Sequence, residues 1–192
     1  MNPPDPHWLR DRLERPTGKV DLVLDTDTDN EIDDQFALAW AVLLREKLHL
    51  QAVYAAPFHN HRSIGPADGM RRSEDEIHRI LDIMQHPDRG LVHRGSEAWI
   101  TGAEKSVSSA ARDNLIERAR QRPDDDPLYV AAIGAITNVA AALLAAPDIR
   151  EKIVLLWLGG HPLQWPRTDE FNFRGDLKAS RVVLECGVPL VL

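Results

Sequence analysis

The feature that most constrains this chain is a regular alternation of short apolar runs with helix-patterned stretches. Val20-Asp21-Leu22-Val23-Leu24, Leu50-Gln51-Ala52-Val53-Tyr54-Ala55, Leu128-Tyr129-Val130-Ala131-Ala132 and Ile153-Val154-Leu155-Leu156-Trp157-Leu158 are strand-length and rich in β-branched and apolar residues. Strands buried on both faces read this way, and strands separated by helices imply a parallel sheet. Leu91-Val92-His93 reads as a shorter strand and 188–192 as a last one. Between them, Phe36, Ala37, Trp40, Leu43 and Leu44 recur at helical spacing, the pattern of an amphipathic helix. Ser73 with Glu76 forms a capping box that opens a helix through Ile77, Ile80, Leu81 and Met84. Residues 110–120, 137–145 and 178–185 read as three more helices, with Gly187 as the C-cap of the last. The expected class is α/β, an open and mostly parallel sheet with helices on both faces.

Residues 1–18, rich in Pro, Arg and Asp, read as an N-terminal arm, and 19–192 as one domain. A buried strand that runs to the last residue reads as a domain incomplete at its C-terminus, or as an edge strand completed by another segment. Apolar strand surface left bare there favours self-association, so a homo-oligomer is expected.

Composition narrows the partners. With 192 residues and 43% hydrophobic content, the chain has enough apolar mass for a real core. A net charge of −7 argues against a nucleic-acid surface. No apolar run approaches the ~18 residues of a membrane span, and the N-terminal stretch has no apolar segment of the signal-peptide kind. A single cysteine, Cys186, makes no internal disulfide and no cysteine zinc cluster, and reads as a small core residue. The expected compartment is the cytoplasm.

Chemistry concentrates after the first strand, where Asp25-Thr26-Asp27-Thr28-Asp29-Asn30-Glu31-Ile32-Asp33-Asp34 packs six carboxylates into ten residues. In open α/β sheets ligands bind at that end of the strands. Asp25 and Asp27 emerge from an apolar strand and are expected to point inward, with Asp29 and Glu31 toward water. An inward array is tolerable if a hard cation, a shared proton or substrate hydroxyls compensate it. Asp33 and Asp34 fit the first turn of a helix, where the macrodipole favours negative charge. An EF-hand loop fails here: its sixth and twelfth positions need Gly and Glu, and this chain has Asn30 and Phe36. A strand followed by Asp25-x-Asp27 also resembles phosphatases of the haloacid dehalogenase superfamily, but Asp29 and the Asp33-Asp34 pair do not fit that motif.

Three separated segments resemble the inosine-uridine-preferring nucleoside hydrolase family. They are Leu24-Asp25-Thr26-Asp27 with Asp33-Asp34-Gln35-Phe36-Ala37-Leu38; Ile133-Gly134-Ala135-Ile136-Thr137-Asn138-Val139-Ala140; and Gly159-Gly160 followed by Glu170-Phe171-Asn172-Phe173, Asp176 and Gly187-Val188-Pro189-Leu190. The resemblance implies a nucleoside hydrolase-like fold with a Rossmann-like core and calcium-dependent hydrolysis of the N-glycosidic bond of ribonucleosides. It implies Asp27 as metal-bridging general base, Asp34 as metal ligand, and a Ca2+ carbonyl ligand from Thr137. Asp25 would orient the cluster and add to the metal set, Asp33 would bind ribose hydroxyls, and Glu170 and Asn172 would face the sugar. Ala56-Pro57-Phe58-His59-Asn60 and Trp165-Pro166 are similar to a divergent branch, which brings Asn60 toward the substrate. Gln164 stands six residues before Glu170, where the family usually has Asn. The spacing from Asp27 to Asp33 is two residues longer than in the best-known members. The family continues about a third further, with a final metal-binding Asp and often a His that helps the base leave.

Alternatives stay open on the residues alone: a non-catalytic calcium- and ribosyl-binding homologue, or the phosphatase. His59 and His161 are candidates to replace a leaving-group acid. Trp165 in a loop is a better stacking candidate than Trp157, which reads as core. Arg71-Arg72 reads as a solvated face.

Overall fold

The computed structural model describes residues 4–102 and 106–192. Six strands, β1 (Val20–Thr26), β2 (Leu48–Ala55), β3 (Val92–Arg94), β4 (Leu128–Ala132), β5 (Ile153–Trp157) and β6 (Leu190–Val191), form one sheet in the order β3-β2-β1-β4-β5-β6. All five ladders are parallel. The strand order reverses between β1 and β4, so a crevice opens there at the C-terminal ends of the strands.

Side chains alternate across the sheet. Val23, Ala52, Tyr54, Val130 and Leu155 pack beneath α4 (Ala110–Arg120), α5 (Thr137–Ala145) and α7 (Leu177–Glu185). Leu22, Leu24, Val53 and Ala55 pack beneath α2 (Ile32–Leu43) and α3 (Pro66–Ile83). Each fully buried aliphatic side chain in these two layers contributes about 1.5–3 kcal/mol. On the α2 side the layer stops at β4: Leu156 and Val191, in register on β5 and β6, stay exposed. Cys186 is buried in the core, as its composition reading implied. No helix among the described residues is long and apolar enough to cross a membrane.

Several local readings need correction. The N-terminal arm contains a helix, α1 (Pro6–Arg12), whose Asp5 side chain accepts from the His7 amide. Helix α2 is turned relative to its apolar pattern. Asp34, Leu38, Ala41 and Val42 face inward, whereas Ile32, Phe36, Trp40 and Leu43 are each about two-thirds exposed. Leu38, Ala41 and Val42 pack into the core on that side, and the rotation also aims Asp34 at the end of β1. Ser73 does not cap α3, which begins two turns earlier with Pro66 in its first turn. The Ser73 hydroxyl instead donates to the carbonyls of Gly69 and Ala56, tying α3 to the end of β2. A one-turn helix, α6 (Phe171–Gly175), lay outside the sequence reading; Glu170 caps it by accepting from the amides of Asn172 and Phe173. Gly187 follows α7 with φ +80°, a conformation L side chains rarely adopt.

Candidate active site

The last residue of β1 and the turn after it set the centre. Parallel pairing on both sides holds β1 rigidly, so Asp25 and Thr26 project into the crevice from a fixed backbone. The Asn30 amide donates to the Asp27 carbonyl at 2.7 Å and closes a tight turn, bringing the chain back to the start of α2. Asp25, Asp27 and Asp34 thereby share one buried volume, each at most 4% exposed.

Their hydrogen bonds are unequal. Asp25 Oδ1 accepts from Asn138 Nδ2 at 2.8 Å, and Asp27 Oδ2 from Asn30 Nδ2 at 3.0 Å. Asp34 Oδ1 accepts from the Thr26 hydroxyl, which also contacts Thr28 Oγ1 at 3.0 Å. Among the described residues, Asp25 Oδ2 and Asp27 Oδ1 are buried with no partner at all. A carboxylate oxygen only accepts, so each needs a proton, a donor or a cation. Gly134 keeps the space beside one of them open: a Cβ there would lie 3.0 Å from Asp27 Oδ1.

The electrostatics follow from this burial. Desolvation pushes the Asp25 carboxyl up to about 7, against the pull of the Asn138 hydrogen bond and with the charge of Asp34 adding to the rise. Burial likewise takes Asp34 to about 7; the Thr26 hydrogen bond opposes it, and the charges of Asp33 and Glu31 support it. Asp27 lies well above the usual carboxylate range, through burial first and the charge of Asp34 second. Three carboxyls that resist ionisation side by side form a proton-holding or cation-accepting centre. Among the described residues no group of three His, Cys, Asp or Glu side chains is already arranged as a metal site. The donor set is nevertheless all oxygen, with two orphaned acceptors, which fits a hard divalent cation.

Thr137 opens α5 fully buried, its hydroxyl donating to Asp176 Oδ2 at 3.0 Å. Asp33 is exposed on the outer side of the same helical turn as Asp34. Asn60 is half-buried and reaches the acidic turn, donating to Asn30 Oδ1 at 2.7 Å. Glu170 spends both oxygens on backbone amides, those of Gly160, Asn172 and Phe173. Asn172 Nδ2 bridges the carbonyls of Ile133 and Leu158, locking the ends of β4 and β5 together. Gln164 and Trp165 lie exposed in the loop after β5, with the Trp165 ring 5.8 Å from that of His161. His59 is exposed, 3.4 Å from the Ser63 hydroxyl. Trp157 is core, stacked on Phe173 at 5.3 Å.

One expectation about the rim changes. Asp29 is not directed to water but is partly buried against Arg62 (3.3 Å) and Arg72 (3.6 Å). Arg71 and Arg72 are exposed, as read from the sequence, and Arg72 in addition pairs with Asp68 and Asp29 at the rim. Two functional side chains had no role assigned from sequence. Asn138 joins Asp25, the Ser96 amide and the end of β2. Asp176 accepts from Thr137, Ile100 and Ala179 and pins α5 to α7. The signal for Asn138 was an amide side chain at the head of an otherwise alanine-rich apolar helix.

Comparison with known proteins points to one family. The model of the family described as inosine-uridine preferring nucleoside hydrolase matches residues 22–192. Pyrimidine-specific ribonucleoside hydrolase RihA of Enterobacter sp. (strain 638) is 32% identical over 74 residues, 37% of this chain and 24% of that protein. The purine-preferring ribonucleoside hydrolase from Gardnerella vaginalis superposes with a TM-score of 0.66 at 20% identity, over 88% of this chain and 59% of that one. The type III effector protein XopQ complexed with adenosine diphosphate ribose gives 0.64 at 25% identity, over 96% and 60%. The aligned part is thus about a quarter of the curated relative and less than two-thirds of either solved chain.

Proposed function

Because this chain belongs to the inosine-uridine preferring nucleoside hydrolase family, we propose that its acidic crevice hydrolyses the N-glycosidic bond of ribonucleosides with the help of Ca2+. The observation that carries this reading is the pair of buried, unpartnered oxygens, Asp25 Oδ2 and Asp27 Oδ1, at the switch point of the sheet. Asp25, Asp27, Asp34 and the Thr137 carbonyl would hold the ion, whose chemistry is to acidify a bound water and to bind the vicinal hydroxyls of ribose.

The remaining steps belong to the chain's own residues. Asp27, with one oxygen fixed by Asn30 and the other free, takes the proton of the attacking water as the bond from the anomeric carbon to the base nitrogen breaks; the base leaves with that electron pair and takes up a proton from solvent. Asn138 keeps Asp25 in one rotamer, and Thr26 does the same for Asp34. The negative charge of the set stabilises the oxocarbenium-like state at the sugar. Asp33, Asn60 and Gln164 line the approach and serve the substrate, and Trp165 is placed to stack on a base. Glu170 and Asn172 act by shaping the sugar-facing loop, since their hydrogen-bonding groups are already engaged. The partner is a small nucleoside in the cytoplasm, and copies of the chain associate through apolar surface.

The phosphatase alternative asks Asp25 to act as nucleophile and gives no role to Asp34, which is buried in the same cluster. The test is release of free base from a panel of purine and pyrimidine nucleosides with Ca2+, by this chain and by Asp27→Asn. Base release lost in the variant supports the reading. Saturable ribonucleoside binding without product would replace it with a binding protein.

A further inference from the structure

A second cluster of charge sits at the other end of the sheet. β3 begins opposite Val53, so the first half of β2, from Leu48 to Gln51, has no strand on its outer side. Gln51 is also the extra residue where the β1–β2 register slips between Leu22 and Val23, a bulge that turns its side chain out of the ladder. The space so created is a cleft of about 510 Å³ between the end of α2, the segment joining α3 to β3, and α4. Its size is that of a small-molecule site.

Three guanidinium groups line it: Arg45, Arg89 and Arg118. Among the described residues none of them is ion-paired, in a protein of net charge −7. Arg118 shows the contrast best. Its Nε donates to Asn114 Oδ1 at 2.7 Å and one Nη to Gln51 Oε1 at 2.8 Å, both neutral amides. Its charge is therefore held in place without being neutralised. Arg122, one turn further on, is instead paired with Asp21 and Asp126. The C-terminal carbonyls of α2 and α3 favour cations nearby, but they leave most of the guanidinium donors unmatched.

The end of α3 shapes the cleft wall: Gln85, at φ 54°, follows the helix cap in the left-handed conformation usual there, and the His86 amide donates back to the Leu81 carbonyl at 2.9 Å. Val42, Met84 and Leu91 add apolar surface to the lining.

We propose that this cleft is a second ligand site, distinct from the acidic centre, for a nucleoside phosphate: a phosphate or diphosphate against the arginines and a flat ring against the Met84 wall. Guanidinium groups match phosphate oxygens in bidentate pairs, and thioether and aliphatic surface suits a planar base.

The test is calorimetric titration of the 192-residue chain with ADP, adenosine, pyrophosphate and inorganic phosphate. A chelator is present throughout, so that the acidic centre cannot hold a phosphate through a metal. Saturable one-to-one binding of ADP is expected, weakened about tenfold or more by Arg118→Gln and by the exposed pair Arg45→Ala/Arg89→Ala, and unchanged by Asp27→Asn. Binding should fall with added salt. No ADP binding at millimolar concentration would overturn the proposal. So would ADP binding that survives both arginine variants, or that is lost in Asp27→Asn and thus belongs to the acidic centre. Pyrophosphate or phosphate binding as tightly as ADP would overturn the assignment to a nucleoside phosphate.

Discussion

Replacing Asp25 by Asn separates a carboxylate kept for a ligand from one kept for stability. In the metal-free protein Asp25 holds its proton up to about 7, while in the unfolded chain it ionises near 4. The folded state therefore binds more protons than the unfolded state between those values, and stability falls as pH rises from about 4 to about 7. Three pH units at about 1.4 kcal/mol each give a loss of about 4 kcal/mol above pH 7. Asn cannot ionise and escapes this loss. Its Oδ1 still accepts from Asn138, but its Nδ2 replaces an oxygen that has no partner. An unsatisfied buried donor costs about 1–3 kcal/mol at every pH.

The two curves must therefore cross. At pH 3–4, Asp25→Asn should be about 1–3 kcal/mol less stable than the parent, and at pH 8 about 1–3 kcal/mol more stable. Urea unfolding in a chelator across that range measures both. Excess Ca2+ at pH 8 should then stabilise the parent by mass action and leave the variant almost unmoved. A variant that loses the same free energy at both pH values would refute the proton linkage. An equal calcium response in both proteins would refute the metal role of Asp25.

Asn138→Ala removes the bond to Asp25 and orphans the buried Ser96 amide, so a loss of about 2–3 kcal/mol is expected in thermal or urea unfolding; a loss under about 0.5 kcal/mol would deny it a structural role. Gly134→Ala pushes a methyl against the Asp27 carboxylate and should abolish the calcium-induced rise in melting temperature while circular dichroism still reports a folded chain. Trp40→Ser should change stability by no more than about 0.5 kcal/mol, since that ring is 66% exposed; a clearly larger loss in unfolding would show that the apolar ridge of α2 is covered in solution. Glu170→Ala should cost about 1–3 kcal/mol by freeing three backbone amides and should loosen the Gly160 loop, which hydrogen exchange at Gly160 and Phe173 would detect.

The order of strands and helices was legible because it is local. Runs such as 128–132 and 153–157 are apolar throughout and of strand length, although one face of β5 stays partly bare at Leu156. The acidic centre was legible for a related reason: carboxylates directly after such a strand have no place to go except the crevice. Three things were decided only by packing. Ile32, Phe36, Trp40 and Leu43 make the stronger apolar pattern on α2, yet the helix turns them outward, because Leu38, Ala41 and Val42 pack into the core against β1, β2 and α3. Ser73 carries a capping signature, but the close fit of α3 against Phe58 and Ala56 uses its hydroxyl in mid-helix, and Pro66 starts the helix instead. Glu170 caps α6 locally, through the amides two and three residues on, and packing adds only the Gly160 amide, which the loop after β5 folds back onto it. Sequence periodicity records what each segment prefers alone. Rotation, register and the partner of each polar atom depend on elements far apart in the chain, and those are settled only when the sheet assembles.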